Sequence, residues 1–200
     1  VGLQQYQNQN VISIVADYED MFGDEGIFVT GKEYDEGKRE IPNFLQSGRS
    51  WEINGNLQVL ENGIETVNQE VGIRTQGASS RYADKKKMSI YSREEYSGNN
   101  YFDGLTLGSN QIHSIYTNHS ITNIVFPELL KDRDLSVQHP MSAEVFLNGE
   151  YWYSTYILEK YNKYYMADTY HVNPENVIVI KDDGVTEGPN DAYAAYSMVR

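Results

Sequence analysis

Six of the sixteen basic residues of this chain fall within twenty positions: Arg74, Arg81, Lys85, Lys86, Lys87 and Arg93. Before Glu94 only Asp84 opposes them. Among them Gly77-Ala-Ser-Ser80 is a run of small residues. Small residues let backbone N–H groups converge, the Ser79 and Ser80 hydroxyls add donors, and facing cations complete an anion site. A strand over Val71–Gln76 would deliver Arg74. A second strand over Lys85–Tyr91 would put Lys86 on the parity of Met88 and Ile90, toward an apolar face, with Lys85 and Lys87 toward water. An inward ammonium needs an anionic partner. The chemistry on offer is the gripping of a phosphate or a similar small anion. A solvated hairpin with incidental charges would have the same composition.

Other motifs carry less. Gly26-Ile-Phe-Val-Thr-Gly31-Lys32 matches the first seven places of a phosphate loop, but Glu33 stands where a Ser or Thr should supply a magnesium ligand. Its Ile27–Val29 portion also reads as strand. The histidines, at 113, 119, 139 and 171, do not have the i, i+4 spacing of a helical zinc site. There is no cysteine, which excludes disulfides, thiolate catalysis and thiolate metal sites. Asn118-His-Ser120 fits a glycosylation sequon, which matters only in a eukaryotic secretory route.

The elements that must position these residues are mostly strands. Val11–Val15 reads as a buried strand after a loose Gln/Asn-rich lead-in over residues 1–10, and Gly26–Thr30 as a short one. Asp17–Asp24 reads as a turn, and Lys32–Gly48 as a long loop. Trp51–Leu60 and Thr66–Gln76 alternate around Glu61-Asn-Gly63 and predict a hairpin. Asn148-Gly149 between Ser142–Leu147 and Tyr151–Leu158 predicts another. Asn176–Lys181 reads as a final buried strand. Ile121–Leu130 has helical spacing despite Pro127. A helix is predicted from Asp191, capped by Asn190 or Asp191, and it leads us to expect more protein beyond Arg200.

Length and composition fit one domain over residues 11–200. Hydrophobic residues are 40% and charged residues 22%, a globular balance. The net charge of −13 repels phosphate polymers, so nucleic acid is not an expected partner. No run approaches the ~20 apolar residues of a membrane span. The 17 tyrosines suit half-buried sheet faces and binding clefts alike. The fold class expected is α+β, a mostly antiparallel sheet with one or two helices.

Gly72-Ile73-Arg74, Gly77, Ser79-Ser80-Arg81, Lys85-Lys86 and Ile90-Tyr91 together resemble a stretch of the CotH family, the spore-coat-kinase-like proteins. Gly26-Ile-Phe-Val29, Asn43-Phe44, Trp51-Glu52 and Glu61-Asn-Gly63 agree upstream. Val145-Phe-Leu-Asn-Gly-Glu-Tyr-Trp152 and Tyr156-x-Leu158-Glu159 agree downstream. Ser154 stands where the family has Gly, and Gln111–Asn123 lacks its Leu-Arg and Arg-Asp pairs.

The resemblance implies the N-terminal part of a CotH-like protein, folded like the N-terminal lobe of a kinase-like fold and cut short at its C-terminal side. It implies a bacterial protein of the cell surface, the extracellular space or the spore coat. The cofactor would be ATP with magnesium or another divalent metal. Lys86 would touch phosphate, Arg74, Ser79 and Ser80 would line the phosphate side, and Glu159 would close the cleft or hold a basic partner. Catalytic and metal-binding aspartates would lie further C-terminal, so Ser phosphorylation of a protein substrate would need them and these 200 residues would be inactive alone. The alternative is a non-catalytic extracellular module for a surface glycan or a protein, with Trp152 as an aromatic platform.

Overall fold

The computed structural model describes residues 6–32, 34–38, 40–133, 135, 137–181, 184–189 and 191–199. Seven strands close into a barrel: β1 (Val11–Ala16), β2 (Ile53–Glu61), β3 (Ile64–Thr75), β4 (Met88–Tyr91), β5 (Ser114–Asn118), β6 (Met141–Leu147) and β7 (Glu150–Glu159). Around the barrel they run β1-β2-β3-β4-β5-β7-β6. Every neighbouring pair is antiparallel except the closing seam, where β1 lies parallel to β6.

Two Asn-Gly turns build the hairpins, as their sequence predicts. Asn62 and Gly63 have φ of 51° and 82°, and Asn148 and Gly149 have 50° and 82°, the left-handed pair a two-residue hairpin needs. Asn148 also closes the barrel. Its side chain accepts from the Ala16 N–H at 3.0 Å and donates to the Ala16 carbonyl at 3.0 Å, tying the β6–β7 turn to the end of β1.

Inward residues fill the barrel: Ile12, Ile14, Leu57, Val71, Ile73, Met88, Ile90, Ile115, Val145 and Ile157 are buried. One end is covered by α1 (Tyr18–Phe22) and the turn after it, with Met21, Ile27 and Phe28 buried. The other end is plugged by the loop before β5, which buries Phe102, Leu105, Leu107 and Ile112.

This architecture corrects the expected one. The sheet is not an open kinase-like lobe packed on helices but a closed mixed barrel with a few short helices. The reason is that β1 pairs on both of its edges, with β2 and with β6. Residues 26–30 form no strand and turn at Ile27 and Phe28, because the Gly26, Ile27 and Phe28 N–H groups bond back to the carbonyls of Gly23, Asp20 and Met21. Regular pairing in the Lys85–Tyr91 segment begins only at Met88. The 176–181 segment is not a buried barrel strand. It supplies β8 (Val179–Lys181), which pairs only with β9 (Gly184–Glu187) outside the barrel.

The other helices are α2 (Glu94–Ser97), α3 (Thr122–Leu130), α4 (Lys163–Tyr170) and α5 (Ala192–Val199). The predicted central helix is α3, with Pro127 inside it, yet none of its residues is buried. The predicted last helix is α5, and Asn190, one of its two expected caps, lies outside the described residues. Among the described residues no helix is long and apolar enough to cross a membrane.

Candidate functional site: a cationic cleft around Tyr91

Cross-strand neighbours point to the same side of a sheet, and the register fixes which residues share the outer face here. Arg74 on β3 faces Ser89 on β4, which faces Tyr116 on β5. Tyr91 is two residues on from Ser89 and shares that face. Its β3 neighbour is Gly72. A methyl group on Gly72 would collide with the carboxylate of Glu52, so glycine at this place makes room for that side chain.

Glu52 is the anchor of the region. Its side chain is fully buried. It accepts from Arg74 Nε at 2.8 Å, from Arg93 Nε and an Arg93 terminal nitrogen at 2.7 Å each, and from the Tyr96 hydroxyl at 3.2 Å. Arg49 also reaches it and pairs with Glu95 as well. Buried, multiply bonded carboxylate–guanidinium pairs hold their geometry tightly.

Three cations gather on Tyr91. The guanidinium carbons of Arg74 and Arg93 lie 4.6 and 4.9 Å from the centre of its ring. The Lys160 ammonium lies 4.8 Å from the ring centre, bonds the phenol oxygen at 2.7 Å and reaches Ser89 Oγ at 3.5 Å. Ring faces attract cations, and the phenol oxygen fixes the ammonium. Burial pushes the Tyr91 phenol up, but Lys160 and Arg74 outweigh it and hold the group below its ordinary value.

These residues open on a cleft of about 600 Å³ that His113, Asn162 and Tyr164 also line. The His113 ring stacks on Tyr164 at 3.7 Å, and burial lowers its pKa, favouring the neutral imidazole. The guanidiniums of Arg74 and Arg93 share the one Glu52 carboxylate with Arg49. Among the described residues no carboxylate pairs with Lys160. The floor of the cleft is therefore positive, while Glu94, Glu95 and Glu187 stand at its lining as the opposing charge. Such a floor can bind an anion and can stabilise a phenolate.

The residues expected to form one site are dispersed. Arg74 lines the cleft. Lys86 does turn inward and is 6% exposed, but its ammonium donates to the Ala83 carbonyl at 2.8 Å and sits 4.3 Å over the Phe44 ring. Burial lowers its pKa, with Asp84 acting against that. Arg74 is on the outer face and Lys86 on the inner one, so the two do not converge.

Glu159 is also inward, paired with Ile115, but at the other end of the barrel. Tyr153, whose hydroxyl bonds the Lys86 carbonyl at 3.3 Å, stands six residues before Glu159 on β7. At strand rise that is roughly 20 Å. Ser79 and Ser80 lie in a 3₁₀ turn beside the Lys86 end. Arg81 pins that turn by donating to the Leu45 and Gln46 carbonyls. Lys85 lies over the Tyr151 and Trp152 rings. Trp152 is not an open platform: it packs against Phe22 and Phe28, and its Nε1 donates to the Lys86 carbonyl at 3.2 Å.

Lys160, Tyr91, Arg93 and Glu52 carry the site that sequence reasoning missed. Arg93 and Tyr91 stood inside the singled-out segment, and parity counting along β3 and β4 would have placed Tyr91 beside Arg74. Nothing local to Lys160 marked it. No protein-family model and no curated protein matches this chain.

Proposed function

We propose that the chain binds a small phosphorylated molecule in the Tyr91 cleft. The observation that carries this is the Lys160 ammonium, unpaired by any carboxylate among the described residues, beside two guanidiniums that share one carboxylate with a third, that of Arg49. Arg forks and a lysine point charge are the usual means of holding phosphate oxygens. Tyr164 is half-buried, and the face of its ring turned away from His113 can take a flat ring, so a nucleotide is the fitting ligand class.

ATP as that nucleotide rests on the CotH resemblance, in which this chain is the phosphate-holding part of a secreted or surface kinase-like protein. The cleft residues fit its phosphates. They do not fit a resident metal: among the described residues no group of three or more His, Asp or Glu could hold one. Any magnesium would supply charge neutralisation for phosphoryl transfer. The residues of this chain would bind and orient the phosphates.

Calorimetric titration with ATP, AMP and inorganic phosphate tests the reading. Lys160→Ala and Arg93→Ala should each weaken ATP about 10-fold or more, the worth of a charge-assisted hydrogen bond. Lys86→Ala should leave the affinity within about twofold, because that ammonium serves the far end of the barrel. Binding that survives both cleft substitutions but falls with Lys86→Ala would overturn it.

A further inference from the structure

We propose a second site, for a neutral glycan chain, on the outer face of β6 and β7 where residues 8–10 run alongside. Three hollows adjoin there. The middle one, about 600 Å³, is lined by Asn8, Gln9, Asn62, His119, Glu144 and Tyr156 among others. It shares Gln9, Glu144 and Ser154 with a hollow of about 370 Å³ that reaches Tyr6 and Tyr151. On the other side it shares Asn10, Asn62 and Ser142 with one of about 500 Å³ that reaches Thr106 and His139. Shared walls make them one groove, long enough for a chain rather than a single small molecule.

Its chemistry is unlike that of the Tyr91 cleft. No Lys or Arg lines any of the three hollows. Lys85 stands at one edge, 5.5 Å from the centre of the Tyr151 ring, and a phosphate or an acidic polymer would find no cation along the rest of the lining. The polar groups are amides, hydroxyls, carboxylates and the imidazoles of His119 and His139. An amide presents a donor and an acceptor side by side, which matches the adjacent hydroxyls of a sugar ring. The side chains of Asn8, Gln9 and Asn62 make no hydrogen bond among the described residues and are free to meet a ligand.

Part of the groove is already organised. The Tyr151 hydroxyl and Ser154 Oγ are 2.9 Å apart, and Ser154 donates to one Glu144 oxygen at 2.7 Å. That chain leaves the second Glu144 oxygen as a fixed acceptor. His119 Nδ1 lies 3.1 Å from the Ser154 carbonyl, and burial lowers the pKa of this ring, favouring an uncharged imidazole. Tyr6, Tyr151 and Tyr156 add ring surface for the apolar face of a sugar, with Phe146 set edge-on to both Tyr6 and Tyr151. Neutral amides, one oriented carboxylate and three tyrosines together select a neutral polyhydroxylated chain.

The experiment is titration of the protein with neutral oligosaccharides of four to six sugars (β-1,4-glucan, xylan, mannan and chitin types) and with oligogalacturonate as the acidic control. At least one neutral series should bind, and oligogalacturonate should not. Gln9→Ala and Tyr151→Ala should each weaken binding by about 2- to 10-fold, as the loss of one hydrogen bond or ring contact does. Gln9 is exposed, so its variant keeps the fold even if Tyr151→Ala does not. Arg93→Ala should leave glycan binding unchanged, which separates this site from the phosphate cleft. No neutral oligosaccharide bound at millimolar concentration, binding of the acidic chain alone, or binding indifferent to both groove substitutions would overturn the proposal.

Discussion

At the end of β7, consecutive residues point to opposite faces of the sheet, which puts Glu159 inside the barrel and Lys160 in the cleft. The two side chains therefore answer to different environments. Glu159 is 1% exposed. Ser109 donates to one of its oxygens, and the other has no partner among the described residues. Burial raises its pKa, the Ser109 bond opposes that, and nearby Asp168 adds to it, bringing the carboxyl to about 7 from an ordinary 4.5. The folded state thus keeps a proton that the unfolded chain gives up. The stabilisation is complete below the unfolded value and drains away as pH rises through the folded one. Urea unfolding should show stability falling by about 1–3 kcal/mol between pH 4.5 and pH 7.5 on this account. Glu159→Gln should lose most of that slope and be the more stable form at pH 8. An identical slope in both proteins would contradict the assignment.

The hairpins show what one turn residue does for a whole element. Asn148 and Asn62 have nearly the same φ, 50° and 51°. Only Asn148 bonds across to Ala16 at both its amide atoms. Glycine keeps either turn, so Asn148→Gly isolates the loss of that clasp. It should cost about 1–2 kcal/mol in chemical denaturation. Asn62→Gly should fall within about 0.5 kcal/mol of the parent. Equal losses at the two turns would mean that the clasp adds nothing to closure. The same comparison shows why these elements could be read from sequence. A two-residue turn between alternating runs is a local signal, and β2–β3 and β6–β7 follow from it. The strand expected at 26–30 failed because local N–H groups bond back to α1 and its turn, which no alternation of residue types reveals. The expected strand at 176–181 formed as β8, but with no barrel strand beside it.

On the scale of the whole molecule, what escaped the sequence is what depends on closure. Pairing of Val11 with Glu144 joins segments more than a hundred residues apart, and no local pattern encodes it. Closure also decides which residues meet. Counting parity along β4 correctly turns Lys86 inward, but the barrel gives it a backbone carbonyl and a phenyl ring instead of a carboxylate. Arg74 was legible as a cation on a strand, and its partners were not, because Lys160 arrives from the end of β7 and Glu52 from before β2. The most direct test of the account is amide chemical-shift mapping of the isotopically labelled protein during an ATP titration. The amides of Tyr91, Arg93, Ser114 and Lys160 should shift together and saturably, with those of Ser79, Ser80 and Lys86 unmoved. Shifts centred on residues 77–87, or none anywhere at millimolar nucleotide, would contradict it.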